Sequence, residues 1–206
     1  MWGHGQGDVL ARHQGPESKV ENVMEVIRFA ELAQTPWKNG GGLTRQIATC
    51  SDGEAMLWRL SLADVTQDGP FSCFPGLCRI LTVVAGAGMR LDHDAEQMTA
   101  APWGPLRFNG ALDVFGRLTA GPVSNFNLMF DPRLCDARVE VLREPSVQDV
   151  STETAIHCLA GTPLVGSVAM QAKDTVLTGS QTLTLSAGDA VLAVTFRYLD
   201  QSASTR

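Results

Sequence analysis

The sequence predicts an all-β protein, a sandwich or barrel of short strands, from three observations. Apolar and polar residues alternate in run after run, Gly, Pro, Asn or Asp separates the runs at short intervals, and helical periodicity is scarce. A period of two puts successive side chains on opposite faces of a strand, so each run can bury one face and wet the other.

Met1 to Asn22 stand apart from this pattern. They are rich in Gly, Gln, His and charge and show no period. Residues 1–22 therefore read as a disordered leader, with the fold beginning near Met24. A short helical turn is expected at Phe29–Gln34 and another near Pro132–Ala137.

The first informative stretch is "TPWKNGGGLTRQIA", Thr35 to Ala48. Three glycines in a row destabilise any regular element. No Gly-Lys-Ser/Thr follows, so this is not a phosphate loop, and no helix follows, so it is not a dinucleotide fingerprint. Asn39-Gly40 is a turn signal. Gly41 and Gly42 offer bare backbone, either to a packed neighbour or to a ligand resting on N–H donors. Beyond them, alternation begins, and Thr44 and Arg45 must point to opposite faces unless a bulge intervenes.

"MLWRLSLADV" follows and puts Met56, Trp58, Leu60 and Leu62 on one face, against Leu57, Arg59, Ser61 and Ala63 on the other. Arg79 opens "RILTVVA". Arg45, Arg59 and Arg79 thus all interrupt or border apolar strands. An inward arginine is costly unless it meets an acid. Either they pair with Glu54, Asp64 or Asp68 or face solvent, or together they form a socket for a carboxylate. "DVTQDGPFSCFPG" is dense in turn formers, and Phe71 and Phe74 wall a pocket or pack a surface loop. Further strands are read in "LDVFGRL", "NFNLMF", "ARVEVLR", "TAIHCLA", "LVGSVAM", "TLTLS" and "AVLAVTF".

Composition narrows the function. The chain has 206 residues, 44% of them hydrophobic, and a net charge of -6. Such a chain can bury a core, and its charge argues against nucleic acid or anionic lipid as partner. The five cysteines are odd in number and lack a C-x-x-C pair, which fits a reducing, cytoplasmic setting. No run is long and apolar enough to span a bilayer. His93 sits in an Asp-His-Asp turn and His157 inside an apolar strand, which gives metal catalysis little support. No G-x-S-x-G elbow surrounds Ser72.

"WKNGGGLTRQIA", "WRLSLADVTQDGPFSCFPGLCRILTVVAGAGM" and "GPVSNFNLM" occur in order from about Met24 to Met129. Together they resemble the HutD/Ves family of the cupin superfamily, whose members are associated with bacterial histidine utilisation. The resemblance implies a cupin-type fold, specifically a bicupin of two similar halves in one unit spanning 23–206, with approximate halves 23–120 and 121–206. A weak echo between "MTAAPWGPLRF" and "LTLSAGDAVLAV" fits such a plan. Many cupins hold a metal through H-x-H and a following Glu. This chain has no H-x-H, so no cofactor is carried over. Gln46, Cys78 and Asn125 stand where the family often has acids.

The resulting expectation is a cupin that binds a small carboxylate from amino-acid catabolism and modulates that pathway. Trp37, Asn39, Gly40, Thr44, Arg45, Arg59, Ser61, Phe71, Ser72, Arg79 and Asn127 are its candidate ligand contacts. The alternatives are a metal-independent isomerase or hydrolase using Asp64 or Asp68 as base, and a dimeric scaffold. Homodimerisation through edge strands is a further expectation.

Overall fold

The computed structural model describes residues 24–94, 96–150 and 152–199, so the leader expected at 1–22 lies outside the described residues. The described chain is almost wholly β. In order, the strands begin with β1 (Glu25–Ile27), β2 (Thr35–Pro36), β3 (Gly42–Asp52), β4 (Ala55–Val65) and β5 (Gly69–Pro70). They continue through β6 (Cys78–Ala85), β7 (Met89–His93), β8 (Glu96–Ala100), β9 (Leu106–Asn109), β10 (Phe115–Leu118) and β11 (Val123–Phe130). Then come β12 (Cys135–Leu142), β13 (Ser146–Val150), β14 (Thr154–Ala160), β15 (Leu164–Val165) and β16 (Val168–Ala169). The last three are β17 (Thr175–Thr178), β18 (Gln181–Leu185) and β19 (Ala190–Tyr198). Of the two helical turns expected, the first is a 3-10 turn at Phe29–Glu31. The second is a turn that ends as β12 begins at Cys135.

These strands form four antiparallel sheets. A six-stranded sheet runs β2-β3-β4-β11-β6-β9 and faces a four-stranded sheet, β5-β10-β7-β8. A five-stranded sheet runs β1-β17-β14-β19-β12 and faces another four-stranded sheet, β13-β18-β15-β16. The change from one pair of sheets to the other falls between Phe130 and Cys135, not at 120/121, because β11 pairs with β4 and β6. β1 crosses to the second pair and lies beside β17.

Period-two alternation decides where the core sits. Trp58, Leu60 and Leu62 of β4 and Phe126, Leu128 and Phe130 of β11 pack against Leu192, Val194 and Phe196 of β19. That core joins the two large sheets back to back. A second core, including Leu81, Val83, Met89 and Leu91, fills the space between the six-stranded sheet and its four-stranded partner. A third, including Ile156, Val176, Leu183 and Val191, does the same for the other pair. Side chains from both faces of the large sheets are therefore buried, and the polar ones among them need partners.

The five cysteines are free. Among the described residues no helix is long and apolar enough to cross a membrane.

Candidate functional site

A cavity of about 510 Å³ opens at one end of the first sheet pair. Its lip is the glycine stretch. The Gly40 N–H donates to the Trp37 carbonyl at 3.0 Å, and the Trp37 N–H donates to the Gly42 carbonyl at 2.9 Å. Asn39 Oδ1 accepts the Gly41 N–H at 3.0 Å, a local side-chain turn that Asn forms readily. Gly40 has φ of +71°, a conformation that costs any residue with a Cβ. A Cβ at Gly42 would collide with the Asp64 carbonyl oxygen and press on the Trp37 ring. The bare backbone thus serves a tight turn and a close packing contact. Trp37, Lys38 and Asn39 line the cavity, while Gly40 does not.

The floor is the six-stranded sheet seen from inside. Strand register sets Arg59, Met129 and Arg79 side by side across β4, β11 and β6. Two residues further along, Ser61 lies beside Asn127, and two beyond that Ala63 lies beside Asn125. Thr44 of β3 is level with Ala63, and its hydroxyl accepts the Trp37 indole N–H at 2.8 Å. The alternation that buries Leu60, Phe126 and Leu128 behind the sheet delivers these polar residues to its front. The facing wall is the Pro70–Phe74 loop, tied down by Phe71 N–H to the Val114 carbonyl at 2.8 Å and Phe74 N–H to the Gly110 carbonyl at 2.7 Å.

Two arginines dominate the electrostatics. Arg79 is 5% exposed. It donates to the Ser72 carbonyl at 3.2 Å and to Asn127 Oδ1 at 3.4 Å, both neutral acceptors. Its guanidinium also lies 5.5, 5.4 and 5.0 Å from the ring centres of Phe71, Phe74 and Phe108. Arg59 faces the Met129 sulfur at 3.6 Å and the Phe74 ring at 5.6 Å. The Nε of each is buried without a partner. Burial lowers the pKa of Arg59. Burial first, and then the neighbouring Arg59 charge, lower that of Arg79 to about 10. Both remain cationic at neutral pH.

Nine of the residues expected at the site come together here: Trp37, Asn39, Thr44, Arg59, Ser61, Phe71, Ser72, Arg79 and Asn127. Arg45 does not join them. It lies level with Leu62 on the opposite face and pairs with Asp64 at 2.6 Å. The bulge in β3 comes after Gln46, too late to bring Arg45 round. Asp64 also accepts the Ser124 hydroxyl at 2.5 Å. Burial alone would raise its pKa, but the bonds from Ser124 and Arg45 and the Arg45 charge hold it below the usual carboxylate range. Asp68 caps the Leu118 N–H at 2.8 Å on the outer sheet. Neither acid reaches the cavity, so neither is placed to act as a base in it.

The wall and floor also contain Pro36, Lys38, Ala63, Val65, Pro70, Phe74, Asn125 and Met129. Phe74 had two open readings in sequence, and it is a wall. Asn125 and Met129 were legible in principle, since alternation puts them on the face of Asn127.

The lining holds no His, Cys, Asp or Glu among the described residues. A metal of the kind many cupins bind does not fit this donor set. What the arrangement can do is grip an anion: two guanidinium forks on the floor, one buried and one half-buried, neutral hydrogen-bonding groups beyond them, and aromatic walls.

Fold and site together define a cupin-like, all-β protein with an arginine-floored cavity. The chain belongs to the HutD family, whose sequence model matches residues 29–203. It is similar to an uncharacterised 21.2 kDa protein from the hutC 3' region of Pseudomonas putida, with 38% identity over 121 residues. That match spans 57% of this chain and 63% of the relative, less than two thirds of its length. HutD from Pseudomonas fluorescens SBW25, determined in a formate condition, is 30% identical with a TM-score of 0.77 over 86% of this chain and 100% of that one. Bacterial pirin YhhW from Escherichia coli, in complex with nickel(II), is 8% identical with a TM-score of 0.63 over 84% of this chain and 98% of that one. This last likeness concerns the fold alone.

Proposed function

We propose that this protein is a bicupin that binds a small carboxylate arising from amino-acid catabolism, histidine breakdown in particular, and so modulates that pathway. One observation carries the reading. Arg59 and Arg79 flank Met129 on the cavity floor, and among the described residues no carboxylate pairs with either. A cation held without a counter-charge, buried as Arg79 is or half-buried as Arg59 is, carries a desolvation cost that an anionic ligand offsets. Membership of the HutD family, and a relative encoded beside hutC, support the choice of pathway. Binding rather than turnover is favoured because, among the described residues, the lining offers no carboxylate, imidazole or thiol to move a proton. The two pairs of facing sheets support the bicupin description.

The test is calorimetric titration with formate, acetate, urocanate and other acids of histidine breakdown. Wild-type protein is compared with Arg59→Met and Arg79→Met, whose folding is checked by circular dichroism. The expected result is saturable binding of at least one acid, weakened tenfold or more in both variants. Binding of none of them, or unchanged binding in folded variants, overturns the proposal.

A further inference from the structure

The charge of the cavity says more about the ligand than that it is an anion. We infer that the ligand brings two negative charges to the floor, one for each guanidinium; this rests on the carboxylate reading above.

Arg59 and Arg79 are separated by one strand, so their Cα atoms are about 10 Å apart at the usual spacing between neighbours. Both guanidiniums nevertheless lie against one ring, within 5.6 Å of the centre of Phe74. The groups that accept their hydrogen bonds are neutral. Among the described residues, Arg79 donates only to a carbonyl and an amide oxygen, and Arg59 only to a thioether. Each keeps a buried Nε–H unused. The floor therefore carries two positive charges close enough for one to lower the basicity of the other.

Consider the possible ligands against this arrangement. A monoanion engaging both forks leaves one net positive charge on the floor, where Arg79 is buried and Arg59 half-buried. A dianion closes the balance and gives each fork an anionic acceptor. Lys38 lines the cavity mouth as well, but the count of two comes from the arginines alone. Two sources supply the same chemistry: a short dicarboxylate, or a single phosphoryl group.

The experiment compares pairs matched in shape but not in charge. Succinate is set against succinamate, glutarate against glutaramate, and inorganic phosphate forms a third arm, all at pH 7.5 and constant ionic strength. Calorimetry gives the Kd of each for wild-type protein, Arg59→Met and Arg59→Lys. The expected result is that at least one diacid binds tenfold or more tighter than its half-amide. Arg59→Met should reduce that ratio to nearly one, and Arg59→Lys, which restores the charge, should recover part of it. Phosphate binding tighter than both diacids, with the same Arg59 dependence, also supports two charges and assigns them to a phosphoryl group. Equal affinity for diacid and half-amide, both still dependent on arginine, overturns this inference and leaves the carboxylate reading standing. Silence of every probe here overturns this inference, while the carboxylate reading is overturned only if the acids of histidine breakdown are silent as well.

Discussion

Thr44 and Arg45 are adjacent in sequence and serve opposite faces of one strand. The Thr44 hydroxyl accepts the Trp37 indole N–H at 2.8 Å on the cavity side, while Arg45 donates to Asp64 at 2.6 Å behind the sheet. Arg45 also lies 4.9 Å from the centre of the Phe29 ring. Its role is to tie elements together, and the consequence can be measured. Arg45→Met should lower unfolding stability by about 1–3 kcal/mol, because it strips a partly buried Asp64 of its partner. Ligand affinity per folded molecule should stay unchanged. Urea denaturation and calorimetry on the same sample check this, and weakened binding at native stability would contradict it.

This division also marks how far the sequence could be read. Alternation in "LWRLSLA" separated Trp58 and Leu60 from Arg59 and Ser61 correctly, because period two is a local property of a strand. The identity of the partners across β4, β11 and β6 is not local. Asn125 and Met129 join the floor only through register with Ala63 and Arg59, which long-range pairing sets. Arg45 and Arg59 look alike in sequence. They differ because Asp64 lies behind the sheet and, among the described residues, no acid lines the cavity in front. The crossing of β1 to the distant sheet pair leaves no local signature either.

The three lip glycines should respond unequally to alanine. Gly42→Ala drives a Cβ into the Asp64 backbone, which cannot move without disturbing β4, and should cost more than about 2 kcal/mol. Gly40→Ala meets open space but must hold φ at +71°, a cost of about 1–2 kcal/mol. Gly41→Ala meets only side-chain atoms of Asn39 and Gln67 at 3.3 and 3.4 Å and should be the mildest. Thermal unfolding of the three variants ranks them. A Gly41 variant less stable than the Gly42 variant would refute this account of the turn.

Asp174 holds the start of the described chain to the far sheet pair. It is 3% exposed and accepts Arg28 at 2.6 Å and the N–H groups of Phe29 and Gln171 at 3.0 and 3.1 Å. Asp174→Ala leaves those two N–H groups without acceptors and removes the ion pair. A loss of roughly 3 kcal/mol is expected, which for a domain of this size lowers Tm by about 6–12 °C. Because Arg28 directly follows β1, trypsin should also cut there sooner in the variant than in the native protein. A variant that keeps the native Tm and digestion pattern would show that β1 is held by packing alone.

His157 sets the acid limit of the fold. It is fully buried on β14, 4.9 Å from the Phe126 ring centre, and its Nδ1 is 2.9 Å from the Thr175 hydroxyl. Its Nε2 has no partner. Burial lowers its pKa from 6.5 to about 3, with the nearby Asp174 charge acting weakly upward and Lys173 downward. The folded state therefore holds a neutral imidazole that the unfolded chain would protonate below pH 6.5. The stability this contributes is complete above pH 6.5 and is lost as pH falls toward 3. The slope reaches at most about 1.4 kcal/mol per pH unit. The depressed carboxyls Asp64, Asp131 and Asp174 act lower, as pH falls through and below their ordinary value of 3.8. Between pH 6.5 and 4.5 the imidazole term should dominate and amount to about 2–3 kcal/mol. His157→Asn, which keeps a group able to meet Thr175 but cannot titrate, should be less stable at pH 7 and lose less stability over that interval. Urea midpoints at half-unit steps give both slopes, and equal slopes in the two proteins would assign the acid sensitivity elsewhere.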